Sequence, residues 1–447
     1  MLLAAERHRL DRILGLWGEL VDPRVGIIQR IFEIPLDEDD PDFFHYLSIS
    51  CNTARFAPLR NFRNNGGVST DRYVAVAKAM GEAIERYCPA LFRRRELLLA
   101  PYAALSVRAT HPSLYALYRE DQLAADGFPW QPFTEESPVH WTPGVSLLTG
   151  EEVLVPAAMV YLPFQYATAD LSAHIAQPIS TGLACGSSRA EAILSGLLEV
   201  IERDAFTLTW QARMSRPRIL PESLPATGKD LVRRFAAVGL RLELMDITTD
   251  IHIPTILTIA LSEATSSPAL TIAAASDPSP ERALVKSLEE LAHTRKFSKQ
   301  VMEFTPPLPV EVEAGHPAVQ DQRHHLRFYA PQESRDYAAF AWSAPQTIRF
   351  SEIPDRSAGD PEAELRTVVD ELAAAGREPI VCDLTSPDIA PLGLRVVRSV
   401  VPGMHPLFMG HRNRALGGRR LLEVPQKLGQ TGLAPGAPDN PYPHPFP

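Results

Sequence analysis

The sequence predicts an α/β or α+β fold, and three observations lead to that prediction. Helix-like and strand-like segments mix along the whole chain. The longest helix-like segments follow residues that favour helix starts, and short apolar runs between them are typical of buried strands. Hydrophobic residues make up 45% and charged residues 22% of the 447 residues, which suffices for a sizeable core. We therefore expect helices packed on β-sheets.

The first 60 residues are predicted to form a small lead-in subdomain. "MLLAAERHRLDRILGLW" interleaves charges with leucines, which favours an amphipathic helix and excludes a signal peptide. "VGIIQRIFEIPL" predicts strand structure, and the acidic loop "DEDDPD" follows it. Residues 61–425 are predicted to form the main domain, and residues 426–447 an extended Pro-rich tail that ends in "NPYPHPFP".

The next segments alternate glycine-rich turns with helices. "NNGGVSTDRYVAVAKAMGEAIERYC" predicts a glycine turn, an N-cap at Ser69 or Thr70, and a strong helix. Residues 100–178 are rich in proline and aromatic residues, with short strand-like pieces such as "EEVLVPAAMVYLPF". Residues 179–214 predict a Gly/Ser loop that opens into a long helix.

The second half of the chain predicts further strands and a third long helix. "GLRLELMDITTDIHIPTILTIALSE" indicates two strands, and "DPSPERALVKSLEELAHTRKFSKQVM" a helix with Pro280 near its start. Residues 303–360 give few strong signals. "DELAAAGREPIVCDLTS" predicts helix, turn and buried strand, and "LRVVRSVVP" another strand.

Charge and cysteine content exclude several classes of protein. The chain has 44 Lys and Arg against 54 Asp and Glu, a net charge of −10, which argues against electrostatic binding of the whole chain to nucleic acid or to an anionic membrane. No apolar run is long enough to span a bilayer. The four cysteines form no CxxC pair, so we expect neither disulfides nor a zinc site, and a cytoplasmic protein.

Three predicted helices share one internal pattern. "AVAKAMGEAIERYC", "AILSGLLEVIERDA" and "ALVKSLEELAHTR" align without gaps, each starting with Ala and reaching Glu at the eighth position. Three residues after that Glu, each segment has another polar residue on the same helix face. The aligned pairs are Glu82 with Glu85, Glu199 with Glu202, and Glu290 with His293. Glu191 lies within roughly 80° of Glu199 and Glu202 around the second helix, which makes an acidic stripe.

Two interpretations of this pattern remain open from spacing alone. The glutamates could belong to solvated helix faces, or they could bind a cation such as Mg²⁺, which prefers hard oxygen ligands together with phosphates. Arg86 and Arg203 could bind phosphate or pair with neighbouring carboxylates. The loop "ACGSSRAEA", with Ser187 and Ser188, would offer backbone N–H groups to phosphate at a helix start, although no P-loop motif is present.

The chain resembles the YcaO family of ATP-dependent enzymes that modify backbone amides of ribosomal peptides. The resemblance covers roughly residues 60 to 447 and rests on "AMGEAIERY", "STGLACGSSRAEAILSGLLEVIERDAF", "DPSPERALVKSLEELAHTR", "DLTSPDIAPLGLRVVRSVVPGMHPL" and the final "PHPFP". It implies ATP and Mg²⁺, with Mg²⁺ ligands Glu82, Glu85, Glu191, Glu199 and Glu202. The predicted ATP contacts are Glu82, Glu85, Arg86, Ser187, Ser188, Glu191, Arg203, Glu290, His293 and Arg295.

The chain departs from the family pattern at a few positions. Lys78 stands where a serine is common, Val68 follows the glycines where a Gly-Lys-Gly loop is common, and His293 replaces a common glutamine. Phe297 occupies the position of a common arginine, for which Arg295 is a substitute. A non-catalytic scaffold that docks precursor peptide therefore remains an alternative to an enzyme.

The resemblance implies azoline formation, because a PxPxP ending is similar to that of thiazole/oxazole cyclodehydratases. The resemblance also implies that the tail packs back on the protein and enters the active site, where Pro443, Pro445 and Pro447 are the predicted catalytic residues and the Pro447 carboxylate is a candidate base. The implied partners are a precursor peptide, an E1/ThiF-like leader-binding protein in trans, a downstream flavin azoline dehydrogenase and a second copy in a homodimer. Thioamide or amidine formation is the alternative YcaO chemistry.

Overall fold

The computed structural model describes residues 4–115, 117–166, 171–309, 316–434 and 436–447. Contacts divide the chain into two units. The first contains residues 1–34, 44–200 and 358–403, and the second contains residues 35–43, 201–357 and 404–447. Helices and several mostly antiparallel sheets confirm the predicted α+β class.

The helices and strands occur in the following order along the chain. The α-helices are α1 Ala4–Gly15, α2 Trp17–Leu20, α3 Arg72–Tyr87, α4 Glu120–Leu123, α5 Arg189–Gln211, α6 Ala226–Ala237, α7 Pro280–Phe304, α8 Gln322–Phe328, α9 Gln332–Arg335, α10 Pro361–Ala374 and α11 Arg419–Lys427. The strands are β1 Ile28–Ile34, β2 Phe44–Ser50, β3 Asn64–Ser69, β4 Leu98–Pro101, β5 Pro138–Ser146, β6 Glu152–Pro156, β7 Leu183–Gly186, β8 Arg218–Ile219, β9 Arg241–Asp246, β10 Thr255–Leu261, β11 Leu270–Ser276, β12 Thr347–Ile348, β13 Ile380–Asp383 and β14 Arg395–Val400.

In the first unit, α3 packs on an antiparallel sheet of order β1-β2-β3. The predicted glycine turn is wrong, because "NNGG" is part of β3. A Cβ at Gly67 would lie 2.0 Å from the Ala75 carbonyl oxygen, so glycine is needed where strand and helix meet. The predicted N-cap is also wrong: the Asp71 carboxylate accepts the N–H groups of Tyr73 and Val74.

The larger sheet of the first unit has the order β4-β5-β13-β14-β7, with β6 paired to β5. Strand β7 lies inside the segment predicted as a Gly/Ser loop, and its pairing with β14 aligns Gly186 with Arg395. The long helix α5 follows it after two serines. The first part of the predicted loop is therefore a strand, because it pairs with β14, and local composition does not reveal that pairing.

The second unit contains a sheet of order β11-β10-β9-β8-β12, in which only β12 runs parallel to its neighbour β8 among the described strands. Strands β9 and β10 and helix α7 confirm the predicted elements, with Pro280 at the first position of α7 and Ser279 as its N-cap. The fully buried strand β11 was not predicted. Thr258 of β10 hydrogen-bonds to Ser287, which fixes α7 on the sheet.

The two units do not follow the linear division at residues 60 and 425. Strands β1 to β3 join residues on both sides of position 60 into one sheet, while residues 35–43 have most of their contacts in the second unit. Helix α5 spans the boundary, since Val200 is the last residue of the first unit there. Among the described residues, no helix has the length and apolar character needed to cross a membrane.

Candidate functional site

Helix α3 presents two glutamates and an arginine as one hydrogen-bonded group. The Glu82 carboxylate accepts the Gly66 backbone N–H at 2.5 Å. Arg86 donates to Glu85 at 2.5 Å and to Glu82 at 3.4 Å. The spacing of three and four residues places these side chains on one face of the helix. Of the two roles that the sequence left open for Arg86, phosphate binding and pairing with carboxylates, the structure contains the pairing.

The pKa of Arg86 connects this group to helix α5. Burial alone would lower the pKa, but the charges of Glu85, Glu82 and Glu199 outweigh it, and the pKa is raised. Glu199 of α5 thus lies within electrostatic reach of Arg86. The structure brings together three of the predicted glutamates around one guanidinium.

Glu199 is oriented by a backbone donor from the segment before β7. Its carboxylate accepts the Gly182 N–H at 2.7 Å. Gly182 has a φ of 87°, and a Cβ there would lie 2.1 Å from the Ser399 carbonyl oxygen, so no other residue fits without displacement. The position of Glu199 therefore depends on a glycine 17 residues earlier in the chain.

Glu191, in the first turn of α5, is held by the residues just before the helix. Its carboxylate accepts the Ser187 N–H at 2.9 Å and the Ser187 hydroxyl at 2.6 Å, while the Glu191 N–H donates to the Ser188 hydroxyl at 3.1 Å. The Ser187 amide, predicted to face phosphate, donates to Glu191 in this structure. The two serines thus hydrogen-bond to Glu191, which the sequence predicts as a Mg²⁺ ligand.

Glu82, Glu191 and Glu199 share one arrangement: each accepts a backbone N–H from a residue earlier in the chain. A carboxylate accepts about four hydrogen bonds, so one such donor orients it without using its full capacity. The sequence pointed to the glutamates but missed the Gly66 and Gly182 donors. Glycine in the segment before each glutamate-bearing helix was the available signal.

The donor chemistry of these residues fits Mg²⁺ accompanied by phosphate. Carboxylate oxygens are hard ligands, and Mg²⁺ is usually bound by one or two of them together with substrate phosphates. Among the described residues, only Asp37, Asp39 and Asp40 bring three ligand oxygens within 4.8 Å of one another. The glutamates are more widely placed, which suits a metal that phosphate oxygens also coordinate.

The Asp37, Asp39 and Asp40 group is already neutralised by cations of α7. Lys299 and Lys296 hydrogen-bond to Asp37 and lower its pKa far below the usual range. Lys296 also donates to Asp40 at 2.5 Å. Arg295, almost fully buried, donates to Asp39 at 2.9 Å and to Ser267. These contacts describe an internal ion-pair cluster, and a nucleotide contact by Arg295 stays a prediction.

The other predicted residues lie in the second unit. Glu290 and His293 form a half-exposed pair on α7, with 4.0 Å between Oε2 and Nδ1. Glu202 and Arg203 lie on α5 just beyond the boundary and are half-buried. Metal binding by Glu202 stays a prediction, as do the nucleotide contacts of Arg203, Glu290 and His293.

The Pro-rich tail is seated on the second unit through its alternate aromatic residues. Tyr442 stacks on Tyr337 with 4.1 Å between ring centroids, and Phe446 stacks on Phe206 of α5 at 4.2 Å. The Trp210 indole N–H, also on α5, donates to the Tyr442 carbonyl at 3.1 Å. Proline at the intervening positions removes backbone donors that burial would leave unsatisfied.

His444 lies at the centre of this seat and is fully buried. Its ring stacks on His325 at 4.0 Å, its Nε2 donates to the Phe408 carbonyl, and its Nδ1 accepts the Phe446 N–H. Burial, with a smaller effect of the charge of Arg203, outweighs the backbone hydrogen bonds with Phe408 and Phe446 and lowers the pKa of His444 to about 4. The seated tail therefore holds a neutral histidine near Arg203.

Sequence comparison matches residues 66–405 to a family described as YcaO cyclodehydratase, ATP- and Mg²⁺-binding. An uncharacterized protein of Methanothermobacter thermautotrophicus is 28% identical over 381 residues, which is 80% of this chain and 89% of that protein. A protein of Rhizobium leguminosarum bv. trifolii, described as uncharacterized and located in the tfuA 3′ region, is 36% identical over 128 residues, or 28% of this chain and 30% of its own.

Two solved structures share the fold. A heterocyclase in complex with substrate and cofactor has a TM-score of 0.79 at 23% identity over 98% of this chain, which spans 57% of the heterocyclase chain. YcaO from Methanopyrus kandleri bound with AMPPCP and Mg²⁺ has a TM-score of 0.65 at 19% identity and covers 96% of this chain and 95% of its own. At these identities the likeness confirms the fold.

Proposed function

The chain belongs to the YcaO family, and from that premise we propose that it uses ATP and Mg²⁺ to convert Cys, Ser or Thr residues of a ribosomally made precursor peptide into thiazoline or oxazoline. The observation that carries the proposal is the group formed by Glu82, Glu85, Arg86 and Glu199: Arg86 pairs with Glu82 and Glu85, the charge of Glu199 acts on Arg86, and backbone N–H groups orient Glu82 and Glu199. Such a group supplies hard oxygen ligands and a phosphate-binding cation in one place.

The proposed reaction needs positioning and charge more than a covalent enzyme intermediate. The substrate thiol or hydroxyl adds to the carbonyl carbon of the preceding amide. The former carbonyl oxygen then attacks the γ-phosphorus of ATP and ADP leaves. Elimination of phosphate, with loss of the amide proton, forms the C=N bond of the azoline.

The predicted residues of the first unit, with Glu202, have roles in this scheme that follow from their chemistry. Glu82, Glu85, Glu191, Glu199 and Glu202 would hold Mg²⁺, which when bound offsets the charge of the phosphates. Arg86, released from the carboxylates that Mg²⁺ then neutralises, would bind phosphate oxygens. Ser187 and Ser188 keep Glu191 in place.

The tail is proposed to help position the reacting amide of the peptide substrate. Phe206, which stacks on Phe446, follows Arg203 by three residues on one face of α5. The tail that carries Pro443, Pro445 and Pro447 is proposed to orient the group that removes the amide proton. A leader-binding ThiF-like protein and a flavin dehydrogenase are the proposed partners.

Thioamide formation is the second candidate function. The Rhizobium relative located beside tfuA is 36% identical over 128 residues, and a TfuA-like partner is expected for sulfur insertion into an amide activated in the same way. Both reactions transfer the γ-phosphoryl group of ATP to the oxygen of the reacting amide, and they differ in the nucleophile that adds to its carbonyl carbon, which is a side chain of the peptide for the azoline and an external sulfide for the thioamide. The product mass separates them.

The test is incubation of the protein with ATP, Mg²⁺, candidate precursor and leader-binding partner, followed by mass spectrometry. Azoline formation predicts loss of one water per modified residue, and thioamide formation predicts exchange of one oxygen for sulfur. Glu199→Gln keeps an acceptor for the Gly182 N–H but removes the charge, and should abolish either change. The matched control is Glu152→Gln, at an exposed position of β6. Full modification by Glu199→Gln would refute the proposed site.

A further inference from the structure

Helix α1 packs against α3 beside the glutamates. Ile13 and Leu14 contact the core cluster that contains Met80 and Ile84 of α3 and Leu394 before β14. These apolar contacts fix the helix against the first unit. Arg12, the residue before Ile13, then lies close to the end of β7.

Arg12 spans the ends of two neighbouring strands. Its Nη1 donates to the Ser187 carbonyl oxygen at 3.0 Å, just after β7. Its guanidinium also lies against Gly393, just before β14, where a Cβ would be 1.9 Å from Nη2. Gly393 has a φ of 74°, a conformation that suits glycine and leaves room for the arginine. The arginine thus occupies a defined slot although its side chain is exposed.

Ser187 is held from both sides. Its carbonyl accepts from Arg12, while its N–H and hydroxyl both donate to the Glu191 carboxylate. A change in the orientation of this residue would move both donors away from Glu191. Arg12 is therefore linked to Glu191 through a single intervening residue.

We propose that Arg12 is a positioning residue that fixes Ser187 and thereby orients Glu191 for Mg²⁺ and ATP. This inference rests on the proposed function of the site. One hydrogen bond contributes about twofold to tenfold to an equilibrium constant. Arg12→Ala should therefore weaken binding of Mg²⁺·ATP by about threefold to tenfold.

The experiment measures Mg²⁺·ATP affinity by titration calorimetry on the full chain. The variants are Arg12→Ala, Arg12→Lys, Glu191→Gln and the double variant Arg12→Ala with Glu191→Gln. Arg24→Ala removes an exposed arginine of the first unit outside the site and serves as the control. Arg12→Lys, which keeps a charged donor, should recover part of the affinity.

The double variant identifies the route of the effect. If Arg12 acts through Glu191, Arg12→Ala weakens binding in the wild type and adds nothing in the Glu191→Gln background. Equal losses in both backgrounds, or no loss in the wild type, would overturn the inference about Arg12 alone. A wild-type protein that does not bind Mg²⁺·ATP would overturn the proposed function from which the inference starts.

Discussion

Replacing Phe446 by alanine should release the tail from its seat and stop modification while leaving nucleotide binding intact. The Phe446 side chain is 3% exposed and stacks on Phe206. Truncating a buried phenylalanine to alanine costs about 3–5 kcal/mol. Even the lower value shifts the seating equilibrium by about a hundredfold, since each 1.4 kcal/mol is a factor of ten.

Hydrogen exchange of residues 436–447 and the rate of precursor modification measure this prediction together. Exchange should rise in the Phe446→Ala variant, the rate should fall by about a hundredfold, and Mg²⁺·ATP affinity should stay within about twofold. Phe304→Ala is the matched control, because Phe304 is 82% exposed at the end of α7. A variant with increased exchange and full activity would refute the role given to the tail.

Three further predictions concern the seat, the core and the site. Because the pKa of His444 is lowered from 6.5 to about 4, the seated tail has its full stability above pH 6.5 and should lose about 3 kcal/mol of that stability as the pH falls to 4. Hydrogen exchange of the tail at several pH values measures this loss. An equally steep loss in the His444→Gln variant would contradict the assignment to His444. Asp204 is fully buried and accepts hydrogen bonds from Arg420 at 2.7 and 2.6 Å, while Asp250 accepts from the same guanidinium at 2.8 Å and would remain its partner, so Asp204→Asn should cost about 1.5–3 kcal/mol in urea unfolding; the same change in an Arg420→Met background should cost less, and an equal cost in both backgrounds would contradict the loss of this pair as the cause. Gly182→Ala should displace the donor of Glu199 and weaken Mg²⁺·ATP binding by about tenfold, whereas unchanged affinity in calorimetry would show that this donor is dispensable.

Helices were more predictable from sequence than the strands that flank them. The long helices α3, α5 and α7 have apolar faces of constant period, and this local signal was sufficient. Strands β3 and β7 consist of four to six residues rich in glycine, alanine and small polar residues. Strand β3 depends on pairing with β2 across the segment between them, and β7 depends on pairing with β14, far away in the chain; neither pairing is revealed by the local composition.

The candidate site divides in the same way. The repeated spacing pointed to Glu82 and Glu199, whereas their backbone donors depend on tertiary contacts. The tail was predicted to be extended and to pack back on the protein, but the stacking of Tyr442 on Tyr337 could not be foreseen because the two residues are separated by more than 100 positions. Arg295 was chosen from its place on α7, and its burial beside Asp39 follows from the path of residues 35–43.

The proposed function depends on one step, the transfer of the γ-phosphoryl group of ATP to a backbone amide oxygen of the peptide substrate. The most direct measurement uses a precursor whose reacting amide carbonyl carries a heavy oxygen isotope, followed by mass analysis of the inorganic phosphate released. Each turnover should place one heavy oxygen in phosphate. Phosphate that contains no heavy oxygen while the peptide is modified would contradict it.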